Sequence, residues 1–283
     1  MTADSSPTSD KNTRTAQEVD VLVLLEGTFP YVSGGVSSWV NQIIRGFPEL
    51  KFGAIFLGSR PQDYGKMRYE LPDNLVHLDV AYLYDERSSP PIRQVKANKK
   101  AMALMESVHS TLLEGKLTPA CSHDFSCLMD EAGPDGKLDH DTFLYSMESW
   151  EYIKQCYRKF STDPSFVDYF WTIRTIHSPF WHLREVAVRA PKARIYHSVS
   201  TGYAGILGVL LKHRNKRPFM LSEHGIYVKE RKIDLYQAQW LKDNRSVFEN
   251  DPSKVSYFRQ LWIRFFEHLG YMTYQAADDI LAL

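Results

Sequence analysis

Residues Val19 to Val40 read VDVLVLLEGTFPYVSGGVSSWV. The run Val19–Leu25 is almost wholly apolar and β-branched at its start. That is the pattern of a strand buried on both faces of a parallel sheet. Glu26–Gly35 holds Gly27, Pro30, Ser33, Gly34 and Gly35 and reads as a loop. Apolar residues then recur at helical spacing, Val36, Trp39, Val40, Ile43 and Ile44, until Gly46 and Pro48 stop the pattern. Strand, glycine loop and helix, in that order, form the first unit of an α/β fold of the nucleotide-binding kind.

The loop has two readings. Adjacent glycines at a helix start remove Cβ atoms, so backbone N–H groups can approach a ligand closely. The helix N-terminus adds partial positive charge, which suits a phosphate. Alternatively, Gly34 and Gly35 only turn the chain between strand and helix. Their spacing is neither GxGxxG nor a P-loop.

The 283 residues are 43% hydrophobic and 13% aromatic, enough to bury a large core. Lys plus Arg equals Asp plus Glu, at 34 each, so no global field attracts nucleic acid or an anionic membrane. Cys121, Cys127 and Cys156 are too few and too irregular for a disulfide framework, which makes a reducing cytoplasm the default compartment. Cys121 and Cys127 with His123 and His140 have the donor types for zinc, but their spacing is poor and no metal is expected. No apolar run approaches the ~18 residues that span a bilayer. Residues Met1–Glu18 are polar and read as a disordered tail.

Beyond the first unit, Lys51–Gly58 and Leu75–Val80 read as strands, and Asp85–Pro91 as a polar break. From about 92 to 190 the character is helical. Gln94–Gly115 has an apolar face through Ala101, Leu104, Met105, Val108 and Leu112. His123–Asp141 reads as a loop, Thr142–Phe160 as a helix, and Phe166–Arg189 as an aromatic-rich helix that Pro179 kinks or splits. So long a helical stretch inside a βα series is an insertion. Aligning Asp130–Asp141 with a calcium-binding loop puts Gly133 and Thr142 where oxygen-rich ligands belong, so a solvated acidic turn is the better reading.

The βα rhythm then resumes. Ala193–Val199 is a strand, Thr201–His213 a helix whose glycines permit close packing, and Arg217–Ser222 a strand. Tyr227–Lys232 (YVKERK) reads as a charged loop, followed by helices near Ile233–Lys242 and Lys254–Gln275. Asp279–Leu283 begins a last strand.

The succession FPYVSGGVSSWV, a helical insertion, IYHSVSTGYAG, MLSEHGIYVKER and AADDILAL resembles the N-terminal domain of family 4 glycosyltransferases with the GT-B fold. Within these it is similar to the Pel exopolysaccharide (PelF-like) group. The resemblance covers Val19 to Leu283. It implies an α/β fold with a Rossmann-like parallel sheet and a large helical insertion, forming the acceptor side of a two-domain cleft. The C-terminal domain that grips the nucleotide sugar would begin just after Leu283 and is absent from this sequence, so the chain alone is expected to transfer no sugar. The Glu-x7-Glu spacings Glu18/Glu26 and Glu106/Glu114 fall outside such a domain and are coincidental.

The resemblance implies a retaining transfer from a nucleotide sugar, UDP-linked in expectation, to a saccharide acceptor in exopolysaccharide synthesis. No other cofactor is implied. Membrane-bound components of a polysaccharide synthase are the implied partners. Gly34 and Gly35 would face the donor diphosphate, and His224 would stand against the donor sugar. The residues agree in part: His224 follows a strand at its C-terminal end, where open α/β sheets bind ligands, and a His there can hydrogen-bond a sugar hydroxyl. The alternative is that His224 only caps its loop. Glu223 is a partner for His224, Lys229 or Arg231. His197 also ends a strand at the ligand edge, and Lys229 and Arg231 either bind anionic groups or are solvated. Charge stabilisation and positioning suffice for this chemistry, so no carboxylate pair is needed.

Two other functions compete. One is a non-catalytic interaction module in which the aromatic helices of Phe166–Trp181 dock a synthase or membrane partner. The other is a dinucleotide-dependent oxidoreductase, which the missing GxGxxG argues against.

Overall fold

In the computed structural model, which describes residues 14–84, 96–131, 140–245 and 255–282, the first unit forms as its sequence dictates. Strand β1 (Glu18–Glu26) leads into helix α1 (Gly35–Gly46), and β2 (Phe52–Gly58) and β3 (Leu75–Tyr82) follow. The insertion holds α2 (Lys99–Glu114), α3 (Cys121–Glu131), α4 (His140–Tyr145), α5 (Met147–Phe160) and α6 (Phe166–Arg189). The chain then runs through β4 (Lys192–Ser198), α7 (Tyr203–Asn215), β5 (Phe219–Glu223), α8 (Tyr227–Gln237), α9 (Tyr257–Ala276) and β6 (Asp279–Ala282).

All six strands pair in parallel, in the order β3-β2-β1-β4-β5-β6. This is a Rossmann-like, doubly wound α/β sheet. The chain winds outward from β1 to β3 and then restarts at β4 on the other side, so the winding reverses between β1 and β4. The central strand feeds two cores because its side chains alternate. Leu22 and Leu24 join the larger core, and Val23 and Leu25 meet Val40 and Ile44 of α1 in the smaller one. Each of these side chains is at most 3% exposed, and burial of that kind stabilises by about 1.5–3 kcal/mol per residue.

The insertion thickens the larger core and leaves the sheet order unbroken. Met105, Phe125, Ile153 and Ile173 all belong to that core. Helices α3 and α6 pack on α7, and α2 and α3 pack on α9. Gly208 lets α7 press on β5, since a Cβ there would lie 2.2 Å from the Phe219 ring.

Four expectations need correction. His123–Asp141 is not a loop at its start, because Cys121, Phe125, Leu128 and Met129 recur at helical spacing and bury one face of α3. The expected helix Thr142–Phe160 is two helices, parted at Ser146, whose Oγ caps α5 by accepting from the Ser149 N–H at 3.1 Å. Pro179 does not split α6, which is buried at Ile173, Ile176, Phe180 and Leu183 on both sides of it. Residues 14–17 of the polar N-terminal segment are ordered. Thr15 bridges antiparallel to His77, and Ala16 N–H donates to Val76 O at 3.2 Å, covering an otherwise open sheet edge. The rest of the expected tail, the Asp85–Pro91 break and most of the Asp130–Asp141 turn lie outside the described residues.

Among the described residues no helix is long and apolar enough to cross a membrane. The three cysteines form no disulfide.

Candidate functional site

The reversal of winding parts the loops that follow β1 and β4, and a cleft of about 800 Å³ opens there at the C-terminal ends of the strands. Gly27 turns the chain out of β1 with φ +59°, a conformation that favours glycine. Glu26, the residue before it, lies on the cleft wall.

Three helices, α1, α7 and α8, start at this edge, and the N-termini of the first two differ. At α7 the positive end is taken. Glu26 Oε2 accepts the Ala204 N–H at 3.3 Å, and its Oε1 accepts the Tyr227 O–H at 2.9 Å. Arg231 Nη2 in turn donates to Tyr227 Oη at 3.1 Å. A Cβ on Gly202 would fall 2.4 Å from Glu26 Oε2 and 2.6 Å from the Tyr227 ring, so this glycine makes room for the chain's own carboxylate. At α1 the end is open. Gly34 precedes the helix with an extended φ of 169°, no side chain caps it, and its first turn holds no acid. A Cβ at Gly34 or Gly35 would meet nothing within 4 Å among the described residues. Neither packing nor backbone conformation requires glycine at these two positions.

His224 follows β5 and lines the cleft. Its Nε2 is buried and has no hydrogen-bond partner among the described residues. Burial holds its pKa below the ordinary histidine value. Trp39 of α1 packs against it at right angles, ring centroids 4.4 Å apart.

His197 is placed differently. It is 4% exposed and bonded through Nε2 to Ser222 Oγ at 2.8 Å, between β4 and β5, beneath the cleft rather than on its wall. Burial, helped by the neighbouring His224, pushes its pKa down to about 4. Glu223 is not the partner of His224, Lys229 or Arg231. It accepts the Tyr274 O–H, and burial together with that carboxylate lifts the phenol well above its usual range.

Lys229 and Arg231 stand on α8, where a loop was expected. Tyr227, Arg231 and Leu235 recur every fourth residue and all line the cleft, a helical face that the charges around it conceal in the sequence. The Arg231 guanidinium lies 5.2 Å from both the Tyr227 and Phe266 ring centroids. Lys229 is exposed and off the cleft wall.

Several cleft residues escaped the sequence reading. Glu26 had a signal, because it is the first polar residue after a buried strand, at the ligand edge. Tyr84 and Tyr203 had none: their hydroxyls meet at 2.8 Å across 119 residues of chain. Burial lifts the Tyr84 pKa to about 12 and that of Tyr203 well above its ordinary value, so both stay protonated. Trp240 stands 63% exposed at the cleft, edge-on to the buried Trp262 at 5.7 Å. Among the described residues no three His, Cys, Asp or Glu side chains gather to hold a metal.

The family described as Domain of unknown function (DUF3492) matches residues 19–283. The chain belongs to that family, a domain found in glycosyltransferase-like proteins. Neither a curated protein nor a solved structure matches the chain.

Proposed function

We propose, from that family membership and the geometry of the cleft, that this domain is the acceptor-side half of a retaining glycosyltransferase. It works on a nucleotide sugar, UDP-linked, in exopolysaccharide synthesis of the PelF-like kind. One observation carries the reading: a single open cleft is lined both by Val36, in the uncapped first turn of α1, and by His224 at the end of β5. The first supplies N–H donors and partial positive charge for a leaving diphosphate. The second supplies a partner for a sugar hydroxyl, stronger for being out of water. Trp240 and Tyr64 offer flat apolar faces to pyranose rings, with polar groups interspersed, as ligand clefts do.

Titrating the domain with oligosaccharides, UDP-sugars and NAD(H), followed by NMR, tests this. Saccharides are expected to perturb Trp240 and Tyr227, and UDP to bind only weakly, at about millimolar Kd, near Gly35. Tight dinucleotide binding with no response to saccharide would overturn it.

A second reading has one observation in its favour. Val167 and Trp171 of α6 and Met147 of α5 are 64%, 58% and 55% exposed, beside the partly exposed Trp150. Such a patch suits docking onto a polysaccharide synthase or membrane partner. Loss of partner binding in Trp171→Ser with transfer intact would favour it.

A further inference from the structure

Trp39 lies one helical turn beyond Gly35, so its Cα is fixed by the same turn that opens toward the cleft. Its indole meets both strand-end histidines at nearly right angles, His224 at 4.4 Å and 79°, and His197 at 5.9 Å and 81°. The two histidines are otherwise held very differently. His197 is bonded to Ser222 and almost fully buried. His224 is partly exposed, and its Nε2 has no partner among the described residues. The Trp39 indole is the one aromatic ring packed on it among those residues.

We propose that Trp39 is the positioning residue of His224: its indole fixes the imidazole plane and shields the buried Nε2 from water, so that the edge of the ring on the cleft meets a substrate hydroxyl in one orientation. This rests on the reading of His224 given above and deepens it. An imidazole free to rotate would hydrate on both edges, and a substrate hydroxyl would then have to displace ordered water and fix the ring as it binds. Held by the indole, the ring is already oriented when the hydroxyl arrives, and little ordering cost is left to meet at that step. Trp39 also links the two halves of the proposed site, because the helix that offers N–H groups to the diphosphate is the helix that holds the histidine.

The charged groups around His224 leave this contact dominant. From β4 the titratable neighbour is His197, itself uncharged near neutral pH. Glu223, beside it in the chain, is engaged by Tyr274. Glu230 of α8 lies over Gly225. Burial is the cause that lowers the His224 pKa.

The test compares Trp39→Phe and Trp39→Ala with the parent. Histidine ring signals are followed by NMR against pH, and His224 is assigned by the signal lost in His224→Gln. Trp39→Ala is expected to raise the His224 titration toward the ordinary histidine range, while His197 stays untitrated near neutrality. Trp39→Phe is expected to stay near the parent. In a polypeptide that includes a donor-binding half, Trp39→Ala is expected to lower kcat by about 10- to 100-fold. KM should change little, and the acid limb of the pH profile should move upward. An unchanged His224 titration in Trp39→Ala would overturn the inference, as would an equal movement of His197, which marks general loosening of the fold. Should Trp39→Ala not fold, Trp39→Leu carries the same comparison. If the His224 titration moves as expected while Trp39→Ala and His224→Gln both transfer sugar normally, the reading of His224 itself fails, and the packing contact alone survives.

Discussion

Replacing Gly35 by Val separates the two readings of the loop before α1. The position lies outside the left-handed region, and a Cβ there meets nothing within 4 Å. Removing a glycine where the backbone allows it stabilises by about 0.4–1 kcal/mol through the unfolded chain, partly offset here by valine's restricted χ1 in a helix. The net change in Tm is therefore expected to be at most about 4 °C for a chain of this length. A diphosphate held by first-turn N–H groups loses far more. Each charge-assisted bond is worth about 1.5–3 kcal/mol, so losing one lowers transfer by about tenfold or more, and losing two by about a hundredfold or more. Gly208→Val is the control. Its Cβ would lie 2.2 Å from the Phe219 ring, and overpacking of that kind costs about 1–3 kcal/mol. The assay pairs thermal unfolding with UDP-sugar transfer per folded molecule, in a polypeptide that includes a donor-binding half. If Gly35→Val melts as far below the parent as Gly208→Val does, and keeps its turnover per folded molecule, the glycines only turn the chain.

Three further outcomes are expected. His224→Ala should lower turnover by about 100-fold or more with Tm nearly unchanged, because a partly exposed imidazole adds little to packing; normal turnover would return His224 to a structural role. Tyr227→Phe removes the donor to Glu26 Oε1 and the acceptor for Arg231, so urea unfolding should show a loss of about 1–3 kcal/mol, with faster hydrogen exchange at the start of α8. Burial holds His197 and His177 at about 4 in the fold, so the unfolded chain binds their protons first as pH falls. Stability is then full above about pH 6.5 and lost toward pH 4, by at most about 3 kcal/mol per histidine. Urea midpoints that stay flat between pH 7 and 4.5 would refute that burial.

What the sequence discloses depends on how far apart the deciding residues lie. β1 was legible because its apolar run alternates into two cores, and a run of that kind names its own environment. The insertion was legible because strand patterning stops and restarts on either side of it. Helix α3 was not, since SHDFSC dilutes its buried face with polar residues that look like a loop. The same dilution hid α8, where Tyr227, Arg231 and Leu235 share a face with Lys and Glu between them. Residues 14–17 read as tail because the β3 edge that orders them is some sixty residues away, 61 from Ala16 to His77. The site follows the same rule. Its strand-end histidines could be named from position alone, but Glu26 and Tyr227 meet across 201 residues. The Trp39–His224 contact likewise exists only once the sheet has brought α1 beside β5.

The cleft's polarity follows from Glu26. The N-termini of α1, α7 and α8 face one edge of the sheet, and each carries roughly half a positive charge. Glu26 Oε2 lies against the start of α7, and both its oxygens are held, one by Ala204 and one by Tyr227. A phosphate competing for that end would come within about 4 Å of a fixed carboxylate and meet a repulsion of about 4 kcal/mol at an effective dielectric constant of 20. Among the described residues no side chain caps the start of α1, and its first turn holds no acid. On the proposed reading an anion entering the cleft is repelled from the start of α7 and received at that of α1, which orients a ligand with an anionic and a neutral end. The glycines record the same asymmetry. At Gly202 a side chain would strike Glu26 and Tyr227, neighbours that the chain itself supplies. At Gly34 and Gly35 it would strike nothing among the described residues, which leaves the backbone there open to the diphosphate contact proposed above.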